Sequence, residues 1–165
     1  MSIINIIKSS PLFFELYDEE IDTIIKDCNV ISLEEGSYIF RENDEGNEIY
    51  LILTGGAHVK KGEIILADLK KGDLFGEMVL LDERVRTADI VSSTYTDVLV
   101  LNYDTIFNKF TKNPKIFSIL MLNLCRLLAK RLKTSGDSIR ELNGVISKLK
   151  DSLPVQKDPA QKDVA

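Results

Sequence analysis

Between Asn29 and Leu101 the apolar residues never run for long, and turn-forming residues keep interrupting them. Short apolar or alternating stretches lie at residues 30–32, 38–40, 49–53, 57–59, 64–66, 73–75, 88–91 and 98–101. Gly36, the run Asn43-Asp44-Glu45-Gly46, the pair Gly55-Gly56, Gly62 and Gly72 separate them. Many short strands at regular spacing with glycine turns predict a closed or double-sheet β unit of the jelly-roll type. Lys60-Lys61-Gly62-Glu63 reads as a hairpin tip. His58, next to Ala57 in an alternating stretch, reads as a surface or lip residue.

Helical spacing brackets this β region. Residues 3–7 and 12–28 carry it first, broken by Ser10-Pro11, and Asp18 is placed to cap a helix through Ile21, Ile24 and Ile25. It returns at Asp104 and more strongly at Asn113, an N-cap followed by proline at the first helical position. From Asn113 an amphipathic run continues to Leu153, where Pro154 ends it. Cys125, Leu132, Ile139, Ile146 and Leu153 form one set of core positions of a heptad repeat, and Met121, Leu128, Ser135, Leu142 and Leu149 form the other. Isoleucine in the first set and leucine in the second favour a parallel two-stranded coiled coil. Gly136 and Gly144 each cost such a helix about 1 kcal/mol relative to alanine, which the dimer seam must offset. The predicted organisation is a β unit with N-terminal helices over 1–112, a long dimerisation helix over 113–153 and a disordered tail over 154–165.

Charge and cysteine content exclude several function classes. Lys plus Arg total 21 against 26 for Asp plus Glu, a net charge of −5, which argues against nucleic acid as a direct partner. No apolar run approaches the ~20 residues of a membrane span, and the short apolar N-terminus reads as a helix and not as a leader. Cys28 and Cys125 lie far apart on apolar-patterned segments and read as buried thiols of a reducing, cytoplasmic compartment. The single histidine has no cysteine or histidine companion at ligand spacing, so no metal and no cofactor is expected. No nucleophile–base pair can be read, which argues against an enzyme.

The chemistry concentrates in residues 72–90, Gly-Asp-Leu-Phe-Gly-Glu-Met-Val-Leu-Leu-Asp-Glu-Arg-Val-Arg-Thr-Ala-Asp-Ile. A glycine-flanked turn supplies free backbone N–H groups, and Arg86 supplies a guanidinium, which together suit a small phosphate. A nearby carboxylate, Glu77, suits a sugar hydroxyl. The three describe a pocket for a phosphorylated sugar. Leu80 and Leu81 read as core residues, and Arg84 as a solvated loop residue.

Short helices, a glycine-punctuated β unit, Phe75-Gly76-Glu77-Met78-Val79-Leu80-Leu81, then Arg86-Thr87-Ala88 and a long helix: this order resembles the cyclic-nucleotide-binding domain family. The stretch from Gly36 to Phe40 and the run Ile49-Tyr50-Leu51-Ile52-Leu53-Thr54-Gly55 extend the likeness to most of residues 5–145. The resemblance implies a mainly β fold with flanking helices, a double-stranded β-helix (a jelly-roll-like β-roll), followed by a long C-terminal dimerisation helix. It implies that Gly76, Met78 and Val79 form a phosphate-binding turn, that Glu77 accepts from the ribose 2′-hydroxyl and that Arg86 pairs with the cyclic phosphate. Thr87 would add a hydroxyl near the phosphate or the purine edge, Ala88 would lie beside it in the site, and Val59, Leu66 and Phe75 would line the apolar side. By alignment of the long helix, Ser135 would meet the base at the dimer seam, and Arg131, one turn earlier, would bond Glu77 or stack near the base.

The function implied is a homodimeric sensor of cyclic AMP, or of cyclic GMP, that relays occupancy through its C-terminal helix to a protein partner. The alternative is a degenerate domain of the same fold, used only for dimerisation and protein contact. The segment after the long helix leaves no room for a DNA-binding helix-turn-helix.

Overall fold

The computed structural model describes residues 3–80 and 84–152. The chain divides into two compact units, Met1–Cys125 and Arg126–Ala165.

The first unit is built on two four-stranded antiparallel sheets. Its elements run α1 (Ile3–Ser9), a 3-10 turn (Pro11–Phe13), α2 (Asp18–Ile25), β1 (Asn29–Leu33), β2 (Tyr38–Phe40), β3 (Glu48–Thr54), β4 (Gly56–Lys61) and β5 (Ile64–Lys70). They continue with β6 (Leu74–Phe75), a second 3-10 turn (Glu77–Leu80), β7 (Asp89–Ser92), β8 (Thr96–Asn102), α3 (Tyr103–Lys112) and α4 (Pro114–Ser152). One sheet has the order β1-β8-β3-β6 and the other β2-β7-β4-β5. Consecutive strands alternate between the sheets except for β4 and β5, which are neighbours in one sheet. This is the double-sheet β unit that the glycine punctuation predicts, with the flanking helices that the family resemblance implies.

Side chains alternate across a strand, and β3 uses both of its faces. Tyr50 and Ile52 point inward, where they meet Ala57, Phe75, Ile90 and Val98 in the inter-sheet core. Ile49, Leu51 and Leu53 occupy the opposite face and are equally buried, because helices cover that side. Helix α1 packs against β3, and Leu101 of β8 shares a small apolar cavity with Ile24, Ile106 and Leu120. A strand covered on both faces reads as a continuous hydrophobic run, not as an alternating one. That is why residues 49–53 carry no polar residue.

The N-terminal segment departs from the sequence expectation. The helical spacing over 12–28 is interrupted at Glu15, whose φ of 66° is left-handed. The side-chain amide of Asn123, buried on α4, donates to the carbonyls of Leu12 (3.0 Å) and Phe14 (2.6 Å) on the near side of this turn. These bonds give two carbonyls that a continued helix would have satisfied internally another partner. Asp18 does not cap α2. The cap is Tyr17, whose N–H donates to Glu20 Oε2 at 2.9 Å, while Asp18 pairs with Lys8 at 2.6 Å.

The expectation of two buried thiols also needs correction, since Cys28 is only half-buried and Cys125 is exposed. The buried face of early α4 carries Ile116, Leu120, Asn123 and Leu124. At roughly 100° per residue, Cys125 lies on the far side of the helix from Ile116.

In the second unit, α4 continues as helix through Ser152. Leu132, Ile139, Leu142, Val145, Ile146 and Leu149 are all exposed there. Leu81, Leu153, the tail over 154–165 and the Leu80 side chain, for which the sequence also carried expectations, lie outside the described residues.

Candidate functional site

Arg86 is the centre of the site, and its surroundings come from three separated stretches of chain. The loop between β2 and β3 runs back along residues 84–86. Arg86 N–H donates to Asp44 O (2.9 Å), Asn43 N–H to Arg86 O (2.8 Å) and Gly46 N–H to Arg84 O (3.1 Å). This ladder fixes the Arg86 backbone and sends its side chain beneath the loop, where only 4% of the residue remains exposed.

The guanidinium is held on several sides. Nη1 donates to the carbonyls of Glu48 (2.9 Å) and Gly76 (3.3 Å). Nη2 donates to Glu48 Oε2 at 3.0 Å. Its Cζ lies 4.3 Å from the centroid of the Phe40 ring and 5.6 Å from that of Tyr50, close enough for cation–π attraction. Nε is buried and has no hydrogen-bond partner among the described residues. An orphaned donor on a buried cation is costly.

Two glycines make this packing feasible. A Cβ on Gly46 would overlap the guanidinium itself. Gly76 has a φ of +80°, and a Cβ there would sit 2.9 Å from Glu48 O and 3.1 Å from Arg86 Nη1. Gly76 is thus required both by its backbone conformation and by the close approach of the arginine.

The aromatic floor follows from strand register. Tyr50 stands opposite Phe75 in the β3–β6 ladder, and their rings stack at 5.2 Å. Phe40 completes the cluster at 5.7 Å from Tyr50 and 6.0 Å from Phe75. Burial pushes the Tyr50 phenol above its ordinary range, assisted by the Glu48 charge and opposed by Arg86.

The residues predicted from the sequence fall into three groups. Phe75, Gly76, Glu77, Met78 and Val79 form the end of β6 and the 3-10 turn beside Arg86. Within it Val79 is buried, Glu77 half-buried and Met78 partly exposed. The Val79 N–H is bonded to Gly76 O at 3.2 Å, so in this conformation that amide is directed into the turn. Thr87 is exposed and Ala88 buried.

Val59 packs against the inter-sheet core beside Phe75. Leu66 is 58% exposed, at a register shift where Val59 faces Ala67 and Lys60 faces Ile65. Arg131, half-buried, and Ser135, exposed, belong to the second unit.

Sequence reasoning missed Glu48, Gly46, Phe40 and Tyr50, the residues that confine Arg86. Glu48 lies 38 positions before its partner, and no local spacing links the two. Gly46 carried a turn signal, but nothing in the turn announces an arginine beneath it.

Residues 30–113 match the cyclic nucleotide-binding domain. The chain belongs to that family. Members similar to it include the cyclic AMP receptor protein of Thermus thermophilus, 35% identical over 131 residues, covering 76% of this chain and 59% of that protein. The cGMP-dependent protein kinase of Plasmodium berghei is 34% identical over 89 residues, 54% of this chain and 10% of the kinase. This family member thus spans under two thirds of the first relative and a small part of the second. Among solved structures, a cyclic nucleotide-binding domain from Methylobacillus flagellatus aligns with a TM-score of 0.73 at 26% identity, over 94% of this chain and 85% of that one. The match to the family begins at the second residue of β1 and ends at the residue before α4, so it contains the whole Arg86 environment.

Proposed function

We propose that the chain binds one cyclic purine mononucleotide per subunit, with cyclic AMP favoured over cyclic GMP. The observation that carries this reading is the buried guanidinium of Arg86, its Nε without a partner among the described residues, beside the glycine-led turn of Gly76 to Leu80. A cyclic phosphate supplies the missing acceptor and one negative charge. The planar fork of arginine suits a phosphate better than a lysine ammonium does.

In this reading Glu77 takes the ribose hydroxyl, the amides of Gly76, Met78 and Val79 face the phosphate after the turn opens, and Thr87 and Ala88 close its far side. Val59, Leu66 and Phe75 form the apolar wall. Arg131 and Ser135 serve the base from α4.

The exposed apolar row on α4 supports the second part of the proposal, a homodimer joined through that helix. Ligand binding then favours one helix geometry over another, and the difference in affinity between the two geometries is what a downstream protein reads. The chain acts as a cytoplasmic signal module and not as an enzyme, with no direct contact to nucleic acid or membrane.

The competing reading is a ligand-independent dimerisation module. It draws on the bonds that already tie Arg86 to Glu48 and Gly76. Calorimetric titration with both cyclic nucleotides and with the linear 5′-monophosphates separates the two. Heat and saturation with a cyclic nucleotide, but not with the linear compounds, support the sensor. No heat with any of the four supports the module.

Replacing Ser135 by leucine tests the role of the seam. A hydroxyl at a heptad core position costs dimer stability unless it finds a partner. The leucine variant is expected to hold the dimer as well or better in sedimentation while losing discrimination between adenine and guanine. Unaltered discrimination would remove Ser135 from the site.

A further inference from the structure

Arg86 carries its own counter-ion. Glu48 Oε2 lies 3.0 Å from Arg86 Nη2 and also accepts from the N–H of Asn47 at 3.0 Å. The Glu48 side chain is 35% exposed and that of Arg86 only 4%. Water therefore reaches the carboxylate far more readily than the guanidinium it neutralises. The backbone of the same residue holds Nη1, so Glu48 touches both terminal nitrogens of the arginine. One residue thus orients the cation and cancels its charge.

We propose that Glu48 sets the affinity of this site for an anionic ligand by acting as a built-in competitor for Arg86; the inference rests on the cyclic-nucleotide reading above. A phosphate arriving at Nε meets a guanidinium already paired. It gains the hydrogen bond but only part of the charge attraction, and it brings its own negative charge near that of Glu48. Like charges at this range oppose each other substantially in a partly buried setting. The site is consequently weaker for anions than a lone buried arginine would be. A sensor gains from such weakening, because a ligand bound too tightly cannot report a falling concentration.

Two substitutions separate charge from positioning. In Glu48→Gln the amide oxygen can still accept from Arg86 Nη2 and from Asn47 N–H, while the charge is gone. In Glu48→Ala both of these bonds are lost, although the backbone carbonyl remains. Glu48→Gln is expected to bind cyclic nucleotide about tenfold more tightly than the wild type at low salt. That advantage should shrink as salt is added, because it is electrostatic. Adenosine and guanosine, which carry no phosphate, should bind the two proteins equally. Glu48→Ala should bind less tightly than Glu48→Gln, since Arg86 is then less well oriented.

The measurements are calorimetric titrations at low and moderate salt, with a thermal unfolding midpoint for each protein. The wild type supplies an independent check, for its affinity should depend only weakly on salt. Equal or weaker binding by a folded Glu48→Gln overturns the proposal and leaves the cyclic-nucleotide reading intact. So does a steep salt dependence in the wild type. Binding by Glu48→Gln where the wild type shows none supports it. Absence of binding in both proteins overturns this inference together with the reading beneath it.

Discussion

Arg86→Ala should weaken cyclic-nucleotide binding by about 2–5 kcal/mol, a loss of roughly thirtyfold to several thousandfold. The substitution removes the positive partner of the phosphate and leaves the Glu48 carboxylate facing an incoming anion with nothing to neutralise it. It also strips the Glu48 and Gly76 carbonyls of their donor, which costs fold stability about 1–3 kcal/mol for each acceptor left buried and unmet. The two losses are separable. Calorimetry reads the first and urea unfolding without ligand reads the second. Arg86→Lys keeps the charge without the fork, so its binding should fall between those of the wild type and the alanine variant. An alanine variant that folds and binds normally would remove Arg86 from the site and assign the phosphate to other groups.

The second large effect concerns the scaffold. Leu51 is fully buried, on the helix-covered face of β3 and away from the inter-sheet core. Leu51→Ala should destabilise the fold by about 2–5 kcal/mol, the cost of a lost transfer energy plus a cavity that neighbours cannot fill. Against a typical total stability of about 5–15 kcal/mol, that is a large share. The measurement is the urea midpoint, with the slope unchanged if unfolding stays cooperative. A small effect, under about 1 kcal/mol, would mean that the helices are loosely docked on this sheet. The same strand carries Glu48 and Tyr50, so the variant should also show weaker ligand binding if the scaffold holds the site in place.

Much of the fold could be read in advance, and the errors cluster where packing outweighed local pattern. The eight short apolar stretches correspond to the eight strands, because glycine and polar turns interrupt the chain wherever a strand must stop. The N-terminal helices were harder to place. Asn123 satisfies the Leu12 and Phe14 carbonyls beside the left-handed Glu15, and a residue 109 positions away leaves no local trace of that. Cys125 obeyed the apolar spacing of α4, yet which face of a helix is buried depends on what packs against it.

The turn at Gly76 and the guanidinium of Arg86 stood out in the sequence because a phosphate requires backbone amides and a fork of donors close together, and ten residues suffice to supply both. Strand count, the glycine turns and the long heptad helix were fixed in the same way, by preferences that act over one or two turns of chain. The confinement of Arg86 was decided only by the tertiary structure. It joins Phe40, Gly46, Glu48 and Tyr50 to an arginine 36 to 46 residues later, and it exists because two sheets close face to face and bring the β2–β3 loop over residues 84–86. Local preference chooses elements, but whether a charge is paired, and with what, is set by burial, which only the closed fold creates.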